Sequence, residues 1–252
     1  MAAPRRVALV TGGTRGIGRS VTERLAASGT AVAAAFARDA EAAARLRECS
    51  ERSGWQVSIH QADVSDPDAC KCLVSDVLAR YGRLDQLVNN AGAVTELRYG
   101  DITADEWGRQ IAVNLSAAFF LAQAALVPMT AAGFGRIVNV GSVSAVMGSS
   151  VQIPYAAAKA GLTGLTLSLA RAVARKGITV NCVIPGSIET ELPQSLRYTK
   201  RDRVTELIPA GRWGRPAEVA HAISFLLAEH AAYITGAIVT VDGGMSMGGV
   251  RQ

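Results

Sequence analysis

The chain has 252 residues, 49% of them hydrophobic and only 5% aromatic, with 26 basic against 21 acidic side chains. That length suits one α/β domain, and the apolar share is enough to bury a sizeable core built from closely approaching backbones rather than large rings. A net charge of +5 is far from the dense Lys/Arg stripes of a nucleic-acid binder, and the four cysteines (Cys49, Cys70, Cys72, Cys182) form no CxxC and have no His beside them, so no metal site is expected.

The cysteines read as free thiols of a cytoplasmic protein. Residues 1–6 lack the apolar core of a secretion signal, and residues 6–10 read as a first strand. A glycine-rich turn follows, then an amphipathic helix through Leu25. Residues 31–36 form a second apolar strand and residues 41–51 an Ala/Glu/Arg-rich helix. Residues 56–61 alternate like a strand. Residues 66–80 read as a helix with Ser65 or Asp66 as its cap and Pro67 in its first turn. Residues 84–88 are a short buried strand. Thr103-x-x-Glu106 is a capping box that opens a long helix. Its apolar stretch, residues 117–129, is interrupted by Gln123 and Pro128 and is too short to span a bilayer, so it reads as buried. Residues 136–140 form the next strand, residues 155–176 a helix, and residues 178–184 and 237–241 the last two strands. The irregular region 185–215 is broken by Pro193, Pro209 and Gly211, and residues 186–215 are the candidate lid over a site. Seven strands with helical crossovers predict a single Rossmann-type doubly wound domain over residues 1–252. Its seven-stranded parallel sheet carries helices on both faces.

Two segments carry chemistry. Gly12-x3-Gly16-x-Gly18 lies between the first strand and first helix. There glycines permit a tight turn, backbone N–H groups can approach a pyrophosphate, and the helix dipole favours that anion. A ligand-free βα turn is the alternative. An NAD site would put an acid at the end of the second strand, but Phe36 and Ala37 stand there. Arg15 and Arg38 are placed to face a 2′-phosphate, and Asp39 opens the next helix. The cofactor expected is NADP(H). The second segment is Tyr155-x3-Lys159, whose i,i+4 spacing puts both side chains on one helix face. Alone it describes a core Tyr with a rim Lys equally well. Ser142, thirteen residues upstream at a strand's C-terminal end, strengthens the catalytic reading. A phenol can give a proton to a carbonyl oxygen, a Lys cation favours its phenolate, and Ser142 can stabilise the developing charge. Lowering a phenol by about three pKa units corresponds to roughly 4 kcal/mol of differential interaction.

With these residues the chain resembles the short-chain dehydrogenase/reductase family over nearly its whole length. The T-G-x-x-x-G-x-G turn is matched from Thr11 to Gly18, and Asn89-Asn90-Ala91-Gly92 follows the fourth strand. Asn114 follows Val113; Ser142, Tyr155 and Lys159 complete a tetrad; Pro185-Gly186 precedes Ile188 and Thr190. The resemblance implies that Gly12, Thr14, Arg15, Gly16, Ile17 and Gly18 hold the pyrophosphate end. Arg38, Asp63, Val64, Asn90, Ala91 and Gly92 would serve the adenosine end. Tyr155, Lys159, Pro185, Gly186, Ile188 and Thr190 would serve the nicotinamide end, and Asn114 a water-mediated proton relay to Lys159.

Pro209-Ala210-Gly211-Arg212, residues 232–236 and residues 241–245 are most similar to β-ketoacyl-[acyl-carrier-protein] reductases. That likeness implies a homotetramer paired through the helices bearing Asn114 and Tyr155, and an acyl carrier protein as candidate partner. Residues 130–135 lack the basic cluster of that group, although Lys176 matches a second basic position. Arg197, Lys200, Arg201 and Arg203 in the lid could replace the missing charge or could be a solvated face. The function expected is NADPH-dependent reduction of a β-ketoacyl thioester in fatty-acid or polyketide-type biosynthesis. The alternatives are an oxidoreductase of a free ketone, sugar, steroid or quinone, and a non-catalytic nucleotide sensor. An eroded Tyr or Lys would mark the sensor, and both are intact.

Overall fold

Residues of the first strand alternate between two apolar layers. Val7 and Leu9 face one buried cluster, Ala8 and Val10 the other. That period of two shows a strand covered on both sides. The computed structural model describes residues 6–190 and 204–247. Its strands are β1 (Val7–Thr11), β2 (Ala31–Phe36), β3 (Val57–Gln61), β4 (Gln86–Asn89), β5 (Gly135–Val140), β6 (Ile178–Pro185) and β7 (Ile238–Val241). They form one seven-stranded sheet in the order β3-β2-β1-β4-β5-β6-β7, and every pairing is parallel.

The helices are α1 (Gly16–Ala27), α2 (Ala40–Arg52), α3 (Pro67–Tyr81), α4 (Ala104–Ile111), α5 (Ala117–Ala132), α6 (Ser144–Met147), α7 (Ile153–Val173) and α8 (Pro216–Leu227). Leu73, Val77, Leu121, Ala125, Ala170 and Val173 from α3, α5 and α7 cover one face of the sheet. Val21 and Leu25 of α1 and Val219, Ile223 and Leu227 of α8 cover the other. The all-small β2 sequence, Ala31-Val32-Ala33-Ala34-Ala35, keeps these layers close.

Local chemistry explains where the helices begin. Asp39 accepts from the Ala42 N–H at 2.9 Å and Asp66 from the Asp68 N–H at 2.9 Å. Thr103 accepts from the Glu106 N–H at 3.2 Å, which is one half of the expected capping box. The Glu106 carboxylate turns instead to Arg109 and Gln110. At the opposite edge of the sheet from the strand C-termini, the buried Asp85 carboxylate accepts from the Val7 N–H at 2.8 Å and from both Arg83 and Arg6. This cluster ties the starts of β1 and β4 together.

Several features differ from the sequence expectation, among them the short helix α6, which it did not contain. The long helix after Thr103 is interrupted by a π-helical turn, Ala112–Ser116. The last residues of the expected helix 155–176 are a 3₁₀ turn, Ala174–Lys176. Helix α8 was absent from the expected elements, although Pro216 at its first turn and Glu218, which accepts from the Arg215 N–H at 2.7 Å, mark its start. Within the lid region, residues 191–203 lie outside the described residues, and with them Arg197, Lys200, Arg201 and Arg203. The run Ala104–Ala132 is long and apolar enough to cross a membrane by length and composition. Leu121, Ala122, Ala125 and Met129 within it are buried in the core beside α3.

Candidate active site

From β1 the sheet continues to β2 and β3, whereas from β4 it continues the other way to β5, β6 and β7. A reversal of this kind opens a crevice beyond the C-terminal ends of the two strands. The Thr11 hydroxyl lashes those ends together. It accepts from the Asn90 and Ala91 N–H groups at 3.0 Å each and donates to the Val88 carbonyl at 3.3 Å. The Asn90 amide donates to the carbonyls of Thr11 (2.9 Å) and Gly12 (3.2 Å), so one side chain buttresses the glycine turn.

The turn needs its glycines. Gly12 and Gly16 have φ of +60° and +53°, in the left-handed region. A Cβ on Gly18 would strike the Gly12 carbonyl and stand 2.5 Å from Asn90 Nδ2. Thr14 is buried, and Ile17 packs against the cluster beneath α1. No side chain caps α1 and no acidic residue occupies its first turn, so the positive end of its dipole faces the crevice uncompensated. This cradle fits a dinucleotide pyrophosphate.

The ribose end is basic. Arg15 is 61% exposed and stands 4.0 Å from Asp39, which is itself committed to capping α2. Arg38 is exposed beside them. Asp63 turns inward to the Ser65 N–H (3.0 Å) and hydroxyl (2.7 Å), bonds that hold its carboxyl below the usual range. Val64 is buried behind it. No acid is left at the end of β2 to accept from a ribose 2′-hydroxyl, and the two guanidiniums suit a 2′-phosphate.

At the other end of the crevice, Ser142 follows β5. The sheet ladder runs on around it through Gly141 N–H to Val183 O (2.8 Å) and Val143 N–H to Pro185 O (2.9 Å). Ser142 Oγ accepts from the Ser144 N–H at 3.2 Å and faces Tyr155 in the first turn of α7, where it acts to lower the phenol. One turn later Lys159 is buried, its Nζ donating to Val140 O at 2.8 Å and lying 5.8 Å from the Tyr155 ring centroid. Burial pulls the Lys159 ammonium down to about 8. Burial also pushes the Tyr155 phenol up, with Ser142 pulling against it. The sequence expectation was a phenol lowered by Lys159. In the protein chain by itself the ammonium is turned to Val140 O, and burial dominates.

Asn114 lies on the π turn. Its Nδ2 donates to Ala93 O (2.8 Å), Gln110 O (3.0 Å) and Gln110 Oε1 (2.9 Å), and its Oδ1 accepts from the Ala93 N–H (3.2 Å). A Cβ on Gly92 would sit 2.9 Å from Asn114 Oδ1 and 3.5 Å from Lys159 Nζ. The bare glycine therefore keeps open the gap between those two groups. The strand exit closes the crevice from above. Gly186 lies too close to Asp242 for a side chain, Ile188 bridges to Gly214, and the Thr190 side chain approaches Gly16. Thr190 thus stands beside the phosphate turn, at the mouth of the crevice.

Several site residues escaped sequence reasoning. Asn89 Nδ2 donates to Asn139 Oδ1 and Asn139 Nδ2 to Thr166 Oγ1, each at 2.9 Å, tying β4, β5 and α7 together. Ser144 orients Ser142, and Gln110 meets Asn114. The one available signal was spacing, since Gln110 precedes Asn114 by a single helical turn.

A family model described as Enoyl-(Acyl carrier protein) reductase matches residues 12–246. The chain is 41% identical over 242 residues to the 3-oxoacyl-[acyl-carrier-protein] reductase of Escherichia coli (strain K12), covering 96% of this chain and 98% of that protein. A short-chain dehydrogenase/reductase mutant from Serratia marcescens superposes with a TM-score of 0.91 at 35% identity, covering 98% and 100% of the two chains. An actinorhodin polyketide ketoreductase variant solved with NADPH gives 0.91 at 34% identity, covering 98% and 99%.

Proposed function

This chain belongs to the short-chain dehydrogenase/reductase family, close to the 3-oxoacyl-[acyl-carrier-protein] reductases, and is a ketoreductase; we propose that it draws on NADPH and reduces β-ketoacyl thioesters. The observation that carries this reading is the meeting of Ser142, Tyr155 and Lys159 at the strand ends, with Asn114 across Gly92 and a basic ribose end whose Asp39 is turned to Arg15 and the α2 cap.

NADPH, when bound, supplies the hydride to the carbonyl carbon. The chain's own residues do the rest. The Gly12–Gly18 turn and the α1 N-terminus hold the pyrophosphate, and Arg15 and Arg38 hold the 2′-phosphate. Asn90, Ala91 and Gly92 line the floor, with Asp63 and Val64 at the adenine. Pro185, Gly186 and Ile188 wall the nicotinamide side, and Thr190 closes the crevice over the phosphate turn. Ser142 keeps one lone pair on the Ser144 N–H, which leaves its proton for the substrate oxygen. Tyr155 gives that oxygen its proton, and the Lys159 cation stabilises the phenolate left behind. Lys159 then gives a proton back toward the Tyr155 phenolate, and a water held by Asn114 replaces the proton that Lys159 has given up.

The wider setting follows the same reading. The catalytic unit is one domain of the cytoplasm, and region 186–215 is its substrate lid. Exposed Phe119 and Val127 on α5 and Leu167 on α7 support pairing of copies through these helices in a homotetramer. An acyl carrier protein is the proposed donor of substrate. The family description also raises an enoyl thioester as substrate. Initial rates with NADPH on acetoacetyl and crotonyl thioesters and a panel of free ketones distinguish these. The reading predicts the highest kcat/KM on the β-keto thioester and none on the enoyl compound. A preference for a free ketone or for the enoyl thioester would overturn it.

A further inference from the structure

Gln110 is a polar side chain buried to 1% exposure in the last turn of α4. A buried amide is costly unless each end finds a partner. Its Nε2 donates to Glu106 Oε1 at 3.0 Å and to Thr95 Oγ1 at 3.2 Å, and its Oε1 accepts from Asn114 Nδ2 at 2.9 Å. The order of these bonds is forced from one end. Arg109, bonded to both Glu106 carboxylate oxygens, holds that carboxyl down at about 2, so it stays ionised and can only accept. Gln110 must therefore turn its NH₂ toward Glu106 and its oxygen toward Asn114. Asn114 in turn must present its NH₂ to Gln110 and its Oδ1 to the Ala93 N–H and to the Gly92 gap beside Lys159. A reversed Asn114 amide would set N–H donors against the Ala93 N–H and the Lys159 ammonium.

We propose that Gln110 is a positioning residue that fixes the amide orientation of Asn114 through the chain Glu106–Gln110–Asn114, and so holds an acceptor toward Lys159 for the return of its proton. This rests on the ketoreductase reading of the site. It also gives the π turn a use. The π turn carries Asn114 at the break between α4 and α5, where the Gln110 Oε1 bond adds to the backbone bonds from Ala93 and Gln110 that hold the amide the same way round.

The test is a double-mutant cycle on the full-length enzyme. Gln110→Leu keeps the volume and removes both amide ends. The expected result is a fall of about tenfold in kcat. KM for the carbonyl and Kd for NADPH should stay within about twofold, and the solvent deuterium isotope effect on kcat should rise. In an Asn114→Ala background the same change should cost nothing more, because residues acting through one another are non-additive. Glu106→Gln is the companion variant if Gln110→Leu does not fold, and it should show a smaller kcat loss that also vanishes beside Asn114→Ala. The proposal is overturned if these variants keep wild-type kcat, if their losses multiply with that of Asn114→Ala, or if NADPH affinity falls in step with kcat. Running the cycle with both acetoacetyl thioester and a free ketone keeps it readable should the thioester assignment fail.

Discussion

At the scale of single residues, the site opposes a half-buried phenol and a buried ammonium whose titrations are pushed apart. Tyr155 is raised by burial, so its phenol stays protonated and ready to donate across the neutral range. Lys159 is lowered to about 8 by burial, so it is a cation below that value and neutral above it. Reduction needs the phenol proton and the cation together. The expected outcome is a kcat for carbonyl reduction that is flat below pH 8 and falls as pH rises through about 8. Alcohol oxidation, which needs the phenolate, should rise only at higher pH, because burial holds the Tyr155 phenol above its ordinary value. Profiles in both directions check the sign. A reduction rate that climbs above pH 8 would contradict the assignment of the cation to Lys159. The residue types were legible in the sequence because carbonyl chemistry restricts them. The direction of the Tyr155 shift was not, because it depends on where the Lys159 ammonium points, and Val140 O takes it.

At the scale of elements, the phosphate turn is the most constrained piece of chain. Gly18 faces the Gly12 carbonyl and the Asn90 amide with no room for a methyl. In Gly18→Ala the turn must open or Asn90 must release its two carbonyls. Either change withdraws the α1 N–H groups from the pyrophosphate. The Kd for NADPH, read by fluorescence titration, should rise about a hundredfold or more, while the far-UV spectrum of the sheet and helices persists. Unchanged affinity would show that the turn does not carry the cofactor. Local signals made this turn, the helix caps at Asp39, Asp66 and Thr103, and all seven strands readable to within a residue or two. They failed where the controlling contact is tertiary. The π turn at Asn114 follows from ties to Ala93 and Gln110, which no periodicity announces. Helix α8 lies directly behind the Pro- and Gly-broken region, and its start signals are Pro216 and Glu218. Gln110 is set apart from the other polar residues of its helix only by its partners and its one-turn spacing from Asn114.

At the scale of the whole molecule, the sheet order places every functional end on one side. Reversal between β1 and β4 opens the crevice, and the Thr11 hydroxyl closes its floor. At the other side, buried Asp85 gathers Arg6, Arg83 and the Val7 N–H. The two ends can therefore change separately, and substrate choice falls to the mouth of the crevice. Cofactor choice is a matter of charge there. Two guanidiniums meeting one 2′-phosphate are worth about 3 kcal/mol of discrimination, or about a hundredfold. The measurement that tests the central claim most directly is kcat/KM for NADPH against NADH with a saturating β-ketoacyl thioester. The account predicts a preference for NADPH of about a hundredfold, reduced in Arg15→Ala and Arg38→Ala. Equal efficiency with the two cofactors, or no turnover of the thioester with either, would contradict it.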